Sequence, residues 1–163
     1  MDRSFLAELC ARRPAIKLAW ERKLRHEPIT SPLANPDTLV LMMNRTLADL
    51  ESVLEKRCRH PVPPTSTVRT PRSGCLCGLN PLLAYYRVVA QVISAMMSSA
   101  TSHCPELGAE EYEGCLQELL AELHTLAQDE IRSFCAMCQT EIARGGKIAV
   151  STPAHCHPGV GKQ

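Results

Sequence analysis

Apolar residues recur along this chain at helical spacing, and no segment alternates in the way a strand does. They return every three or four positions through residues 3–58 and again through residues 81–144. Each run therefore carries an apolar stripe, which a helix buries by packing against other helices. The pattern predicts an all-α protein, namely an antiparallel up-down four-helix bundle.

Two Asn-Pro pairs mark the starts of the second and third helices. At Asn35 and Asn80 the side chain can accept a hydrogen bond from an unpaired backbone N–H group, and the proline that follows has its φ preset for a helix. Helices are expected over residues 36 to about 58 and 81 to about 101.

The first and last helices differ in how they are interrupted and ended. The first covers residues 3–26 and contains Pro14, which lacks an N–H donor and is expected to kink or split the helix. The last covers residues 109–144 and is ended by Gly145 and Gly146.

The helices are expected to form one domain. Neither half of the chain has enough apolar faces to hold a core alone, so residues 1–146 are predicted to be a single helical-bundle domain. Within it, the proline-rich residues 59–79 form an irregular linker. Residues 147–163 have no apolar period and are predicted to be a flexible C-terminal tail.

Composition and charge exclude several functional classes. The formal charge of +1 gives no attraction to nucleic acid, and no apolar run reaches the length of about 18 residues that spans a membrane. The sequence has no phosphate loop, nucleophile elbow or zinc-protease motif. We therefore expect a cytoplasmic protein that is not an enzyme and does not bind nucleic acid or membrane.

Cysteine is the residue type that points to chemistry. The chain has nine cysteines, of which Cys75 and Cys77 precede the third helix while Cys135 and Cys138 lie three apart on the fourth. If the helices alternate in direction, the two pairs lie at the same end of the bundle. Four sulfur ligands suit zinc or an iron–sulfur cluster. The predicted metal ligands are Cys75, Cys77, Cys135 and Cys138.

The same alternation predicts where other cysteines lie. Cys10, Cys58 and His60 are expected beside the predicted metal ligands, and Cys104 and Cys115 are expected at the opposite end. Their roles, where they have any, are not specified by the pattern.

Other interpretations of the cysteines remain open. The tail residues His155, Cys156 and His157 are secondary ligand candidates. The two pairs could form a reducible disulfide, or the thiols could fill the core as small apolar groups. A dithiol enzyme is disfavoured because its CxxC motif opens a helix after a strand, whereas here the motif lies near the end of a helix.

Part of the chain resembles a known family. The first helix contains "LAWERKL" and the second begins "LANPDTLVLMMNRTLADL". This pattern, over residues 5–55, resembles the N-terminal sensor domain of RsbRD-type co-antagonists of bacterial stress signalling. The resemblance implies an all-helical regulatory module that relays a signal through a protein partner. The two cysteine pairs depart from the family pattern, and the chain leaves no room for the output domain that usually follows.

Two functional hypotheses follow. The first is a stand-alone bacterial sensory or regulatory bundle with a metal-binding or redox-responsive cysteine site at one end. The alternative is a ligand-free interaction or scaffold domain in which the cysteines are structural.

Overall fold

The computed structural model describes residues 1–28, 34–60, 80–99 and 107–143, with side chains as far as residue 137. These residues form the helices α1 (Arg3–His26), α2 (Pro36–Arg59), α3 (Pro81–Ser98) and α4 (Ala109–Ala143), and they contain no strand. The predicted all-α fold is confirmed. The predicted tail, and all of the predicted linker beyond residue 60, lie outside the described residues.

Both Asn-Pro pairs begin helices as predicted. The side-chain oxygen of Asn35 accepts a hydrogen bond from the N–H of Asp37 at 2.9 Å, and that of Asn80 accepts from the N–H of Leu82 at 3.0 Å. Proline at the first helical position has no N–H group, so the cap bonds the next residue instead.

Pro14 does not split α1. The helix runs through it, with Ile16 and Trp20 fully buried on the same face as Phe5 and Leu9. Pro14 cannot donate the backbone bond that would close this turn, so packing must hold the helix together there.

Ion pairs and hydrogen bonds between helices give the directions of the chain. Arg25 near the end of α1 lies 2.6 Å from Asp37 at the start of α2, so these two helices are antiparallel. The amine of Lys23, also near the end of α1, donates to the side-chain oxygen of Gln91 at 3.4 Å, so α3 packs beside α1 as well.

The contacts of α3 give its direction against α1 and α4. The guanidinium of Arg12, earlier in α1, donates to the carbonyl of Met96, later in α3, so α3 is antiparallel to α1. The Tyr112 hydroxyl near the start of α4 donates to the carbonyl of Met97 at 2.8 Å, so α4 is antiparallel to α3.

Every pair of helices that packs side by side is antiparallel: α1 with α2, α1 with α3, α3 with α4 and α2 with α4. The predicted antiparallel four-helix bundle is confirmed. However, α3 runs in the same direction as α2, so the helices do not alternate strictly along the chain. The end of α2 and the start of α3 therefore lie at opposite ends of the bundle, about 36 Å apart. The 21 residues between them can extend about 70 Å, so chain length permits this arrangement.

The two ends of the bundle can now be named. The Asn80 end holds the starts of α2 and α3 and the ends of α1 and α4. The Asp2 end holds the starts of α1 and α4 and the ends of α2 and α3.

Buried aromatic pairs join the helices at both halves of the core. The Trp20 and Tyr85 rings have centroids 4.5 Å apart and link α1 to α3. The Phe5 and Tyr112 rings, 4.9 Å apart, link α1 to α4 near the Asp2 end. Apolar side chains from all four helices surround both pairs, so the described helices share one core.

Two leucines of α2 provide a matched test of this core. Leu50 is 1% exposed and Leu41 is 80% exposed. We expect Leu50→Ala to lower the free energy of unfolding by about 2–5 kcal/mol, because it removes buried apolar surface and leaves a cavity. Leu41→Ala should change it by less than about 0.5 kcal/mol. Urea unfolding measures both, and equal losses would contradict this packing of α2.

Candidate functional site

Cys135 lies against the start of α3 at the Asn80 end. The side-chain amide of Asn80 donates to the Sγ atom of Cys135 at 3.5 Å and to the carbonyl oxygen of Ile131 at 3.4 Å. Ile131 and Cys135 are four residues apart, so both belong to the face of α4 that meets Asn80. Cys135 is half-buried, whereas Asn80 is 5% exposed. The sulfur atom therefore has a fixed hydrogen-bond donor.

Chain length limits how far the first cysteine pair can be from this contact. Cys77 precedes Asn80 by three residues, and three residues span at most about 11 Å. The contact between Asn80 and Cys135 thus supports the expected proximity of the two cysteine pairs. Cys75, Cys77 and the side chain of Cys138 lie outside the described residues, so the four-cysteine site stays a prediction.

The structure places Cys58 and Cys115 together at the Asp2 end. The Sγ atom of Cys58 lies 3.9 Å from the carbonyl oxygen of Asp2, and the Sγ atom of Cys115 accepts from the N–H of Asp2 at 3.4 Å. The prediction that Cys58 and the neighbouring His60 lie beside Cys135 is wrong. The prediction assumed strict alternation, whereas α3 begins at the end of the bundle opposite to the end of α2.

The prediction for Cys10 is also wrong, because it lies in the half of α1 that leads from the Asp2 end. Although the residue as a whole is exposed, partial burial of the Cys10 thiol raises its pKa, and the carboxylates of Glu51 and Glu55 raise it further. Burial also raises the pKa of Cys58, although the α-amino group and Arg3 oppose the shift. Both groups are therefore poor thiolates at neutral pH, which disfavours them as ligands or nucleophiles.

A buried polar cluster lies in the core between the helices, and it was not predicted. The hydroxyls of Thr46 and Tyr85 are 2.9 Å apart and form a hydrogen bond between α2 and α3. The carboxylate of Glu130 on α4 lies near the Tyr86 hydroxyl and adds to the effect of burial in raising its pKa. Burial raises the pKa of both tyrosines well above the usual range, so their hydroxyls stay protonated.

Two atoms near this cluster have no hydrogen-bond partner in the described structure, namely Trp20 Nε1 and Glu130 Oε2. The sequence contained one signal of the cluster. Thr46 interrupts the apolar stripe of α2 between Met43 and Leu50, where a polar residue needs a partner. The identity of that partner, Tyr85, depends on the packing of α3.

The described side chains do not by themselves form a metal site. In the part of the chain that the structure describes, no three or more His, Cys, Asp or Glu residues are placed to hold an ion. The predicted site draws three of its four ligands from side chains outside this part. The described side chains therefore do not test the predicted four-cysteine site.

Comparisons with known proteins found no relative. No protein-family model matches the chain, and neither the curated proteins nor the solved structures include a significant match. The resemblance to RsbRD-type sensor domains therefore stays a prediction. None of the described helices combines the length and apolar composition needed to cross a membrane. What is shown is a four-helix bundle with a thiol fixed at one end.

Alkylation of the native protein tests the environments of two thiols. Cys10 is exposed, whereas Cys115 is 8% exposed. With iodoacetamide, we expect native labelling of Cys10 but labelling of Cys115 only on unfolding. Because its pKa is raised, Cys10 should react more slowly at pH 8 than an unperturbed thiol. Mass spectrometry of the labelled peptides measures both rates.

Charge variants separate burial from the effect of the carboxylates on Cys10. Replacing Glu51 and Glu55 with glutamine removes two groups that raise its pKa, so labelling at pH 8 should become faster. The exposed Glu113→Gln on α4 is the matched control and should leave the rate unchanged. Labelling of native Cys10 as fast as a free thiol would contradict the described environment.

Proposed function

We propose that this chain is a regulatory helical-bundle domain of bacterial type with a metal-binding or redox-responsive cysteine site at the Asn80 end. The observation that carries the proposal is the contact of Asn80 with Cys135. It joins the chain that directly follows the first cysteine pair to the helix that bears the second. The proposed ligands are Cys75, Cys77, Cys135 and Cys138, and the proposed cofactor is zinc or an iron–sulfur cluster.

The chemistry around Cys135 suits a metal-bound sulfur. A thiolate ligand gains stability from N–H donors, and the amide of Asn80 supplies one at 3.5 Å. Because Asn80 is buried against α4, its side chain also limits the access of solvent to this face of the helix. A ligand held here would connect α4 to the segment before α3, in addition to the packing of the helices.

A regulatory role follows from where such a ligand would act. Metal binding or oxidation would change the constraints on the start of α3, which leads directly to the buried Tyr85 and Tyr86. The change could reach the outer faces of the bundle, where we propose that a protein partner binds. The near-neutral charge of +1 favours a protein over a nucleic acid. We also propose a cytoplasmic location, where thiols stay reduced.

A ligand-free interaction or scaffold domain is the alternative. Cys115 favours it, because this cysteine is buried among the apolar residues of the core and acts there as a small packing group. If all nine cysteines behave in this way, the bundle needs no metal. The two proposals predict different metal contents.

Metal analysis of protein purified without chelator or added zinc tests the proposal. We expect about one zinc ion or one iron–sulfur cluster per chain, and absorption spectra distinguish a coloured cluster from zinc. Cys135→Ser should remove most of the metal and lower the free energy of unfolding, because the metal binds the folded state. With metal at 100 times its dissociation constant, the loss is about 2.7 kcal/mol.

Cysteines in the other half of the bundle are the controls. Cys10→Ser, at an exposed position, and Cys58→Ser, at the Asp2 end, should leave the metal content unchanged. Metal content near zero in the unmodified protein, or equal losses from Cys135→Ser and Cys58→Ser, would reject the metal site. Comparing the free thiols with and without reductant then separates a disulfide from inert cysteines.

A further inference from the structure

The side chain of Asn80 connects α3 to α4 through both ends of its amide group. Its oxygen accepts from the N–H of Leu82 and caps α3, while its nitrogen donates to Ile131 and Cys135. The orientation of the amide follows from chemistry, since an N–H group must face the oxygen and a carbonyl must face the nitrogen. One rigid planar group thus holds the first turn of α3 and the Cys135 sulfur together.

Asn35 shows what the same residue does when it only caps a helix. Both asparagines precede a proline, and both accept from the N–H two residues further on. In the described structure the side chain of Asn35 makes that cap bond alone, and the residue is exposed. Capping therefore requires neither the burial nor the two donor bonds of Asn80. These additional features serve the contact with α4.

We propose that Asn80 is a positioning residue of the cysteine site, which ties the state of the Cys135 sulfur to the first turn of α3. The inference rests on the proposed function in taking Cys135 as a ligand. A metal-bound sulfur is the stronger acceptor, so binding should tighten the bond from Asn80. Because the same amide caps α3, the first turn becomes more stable. Linkage makes the effect reciprocal: loss of the Asn80 donor weakens metal binding.

The first turn of α3 leads directly into the core. Leu82 is buried, and Tyr85 in the next turn hydrogen-bonds Thr46 of α2 and packs against the ring of Trp20 of α1. A change in the order of this turn therefore alters the packing of Tyr85 against side chains of α1 and α2. This gives the proposed site a physical connection to the rest of the bundle.

Zinc affinity provides the first test, with zinc ion as the probe and a competing chelator as the readout. Asn80→Asp keeps an oxygen that can cap α3 but replaces the N–H donor with an acceptor. We expect its zinc affinity to fall about 10- to 100-fold, as for other groups that support a ligand. Asn80→Ser keeps a capping hydroxyl but is too short to reach Cys135, so its zinc affinity should fall by a similar factor. Asn35→Asp is the matched control and should bind zinc as the unmodified protein does.

Hydrogen exchange provides the second test, and it needs no metal. The backbone amide of Leu82 reports on the α3 cap, and that of Asp37 reports on the α2 cap. In chelator-treated protein, Cys135→Ala should speed exchange at Leu82 and leave Asp37 unchanged. Zinc should slow exchange at Leu82 in the unmodified protein but not in Asn80→Ser. If Asn80 has a purely structural role, its replacement should change the exchange rate of the Leu82 amide equally with and without zinc.

The two tests separate the inference from the proposed function. If zinc does not bind but Cys135→Ala still speeds exchange at Leu82, the metal site is wrong and the link through Asn80 stands. If zinc binds equally to the unmodified protein and to both Asn80 variants, and Leu82 does not respond, the link is wrong and the metal site stands. Equal effects of Asn80→Asp and Asn35→Asp on zinc affinity would also overturn the link.

Discussion

The antiparallel packing of α3 against both α1 and α4 is the constraint on which the arrangement of this bundle depends. It places the start of α3 at the end where α4 finishes, so Asn80 meets Cys135. It also makes α1 and α4 parallel, so Cys115 near the start of α4 lies against the backbone of Asp2. The antiparallel packing of α2 on α1 brings Cys58 to the same place. Reversing α3 alone would take Asn80 to the Asp2 end, away from Cys135, without changing any helix. The chemistry at each end is thus a consequence of helix direction.

Polar groups in the interior make this arrangement specific. An unpaired buried hydroxyl costs about 1–3 kcal/mol, so Thr46 and Tyr85 favour the one packing of α2 and α3 that brings them together. The salt bridge between Arg57 and the buried Glu122 acts in the same way between α2 and α4. Apolar stripes alone would tolerate several orders of the same helices, because their attraction has no direction. The polar pairs discriminate among those orders.

The secondary structure was predictable almost residue by residue, while the site was predictable only in part. Asn35 and Asn80 cap the helices that they were expected to cap, because a cap is a local interaction between neighbouring residues. The meeting of Cys135 with the segment near the first cysteine pair was anticipated. The position of Cys58 was predicted wrongly, because the prediction assumed that successive helices alternate in direction.

The sequence by itself determined the four helices and the face that each one buries, since these follow from apolar spacing, proline and capping residues within a few positions of one another. Only the tertiary structure decided which helix ends meet. The connection between α2 and α3 is long enough either to turn back at once or to return along the whole bundle, so chain length does not choose between them. The choice is made by packing between distant residues, and it places Cys58 at the Asp2 end, away from Asn80 and Cys135.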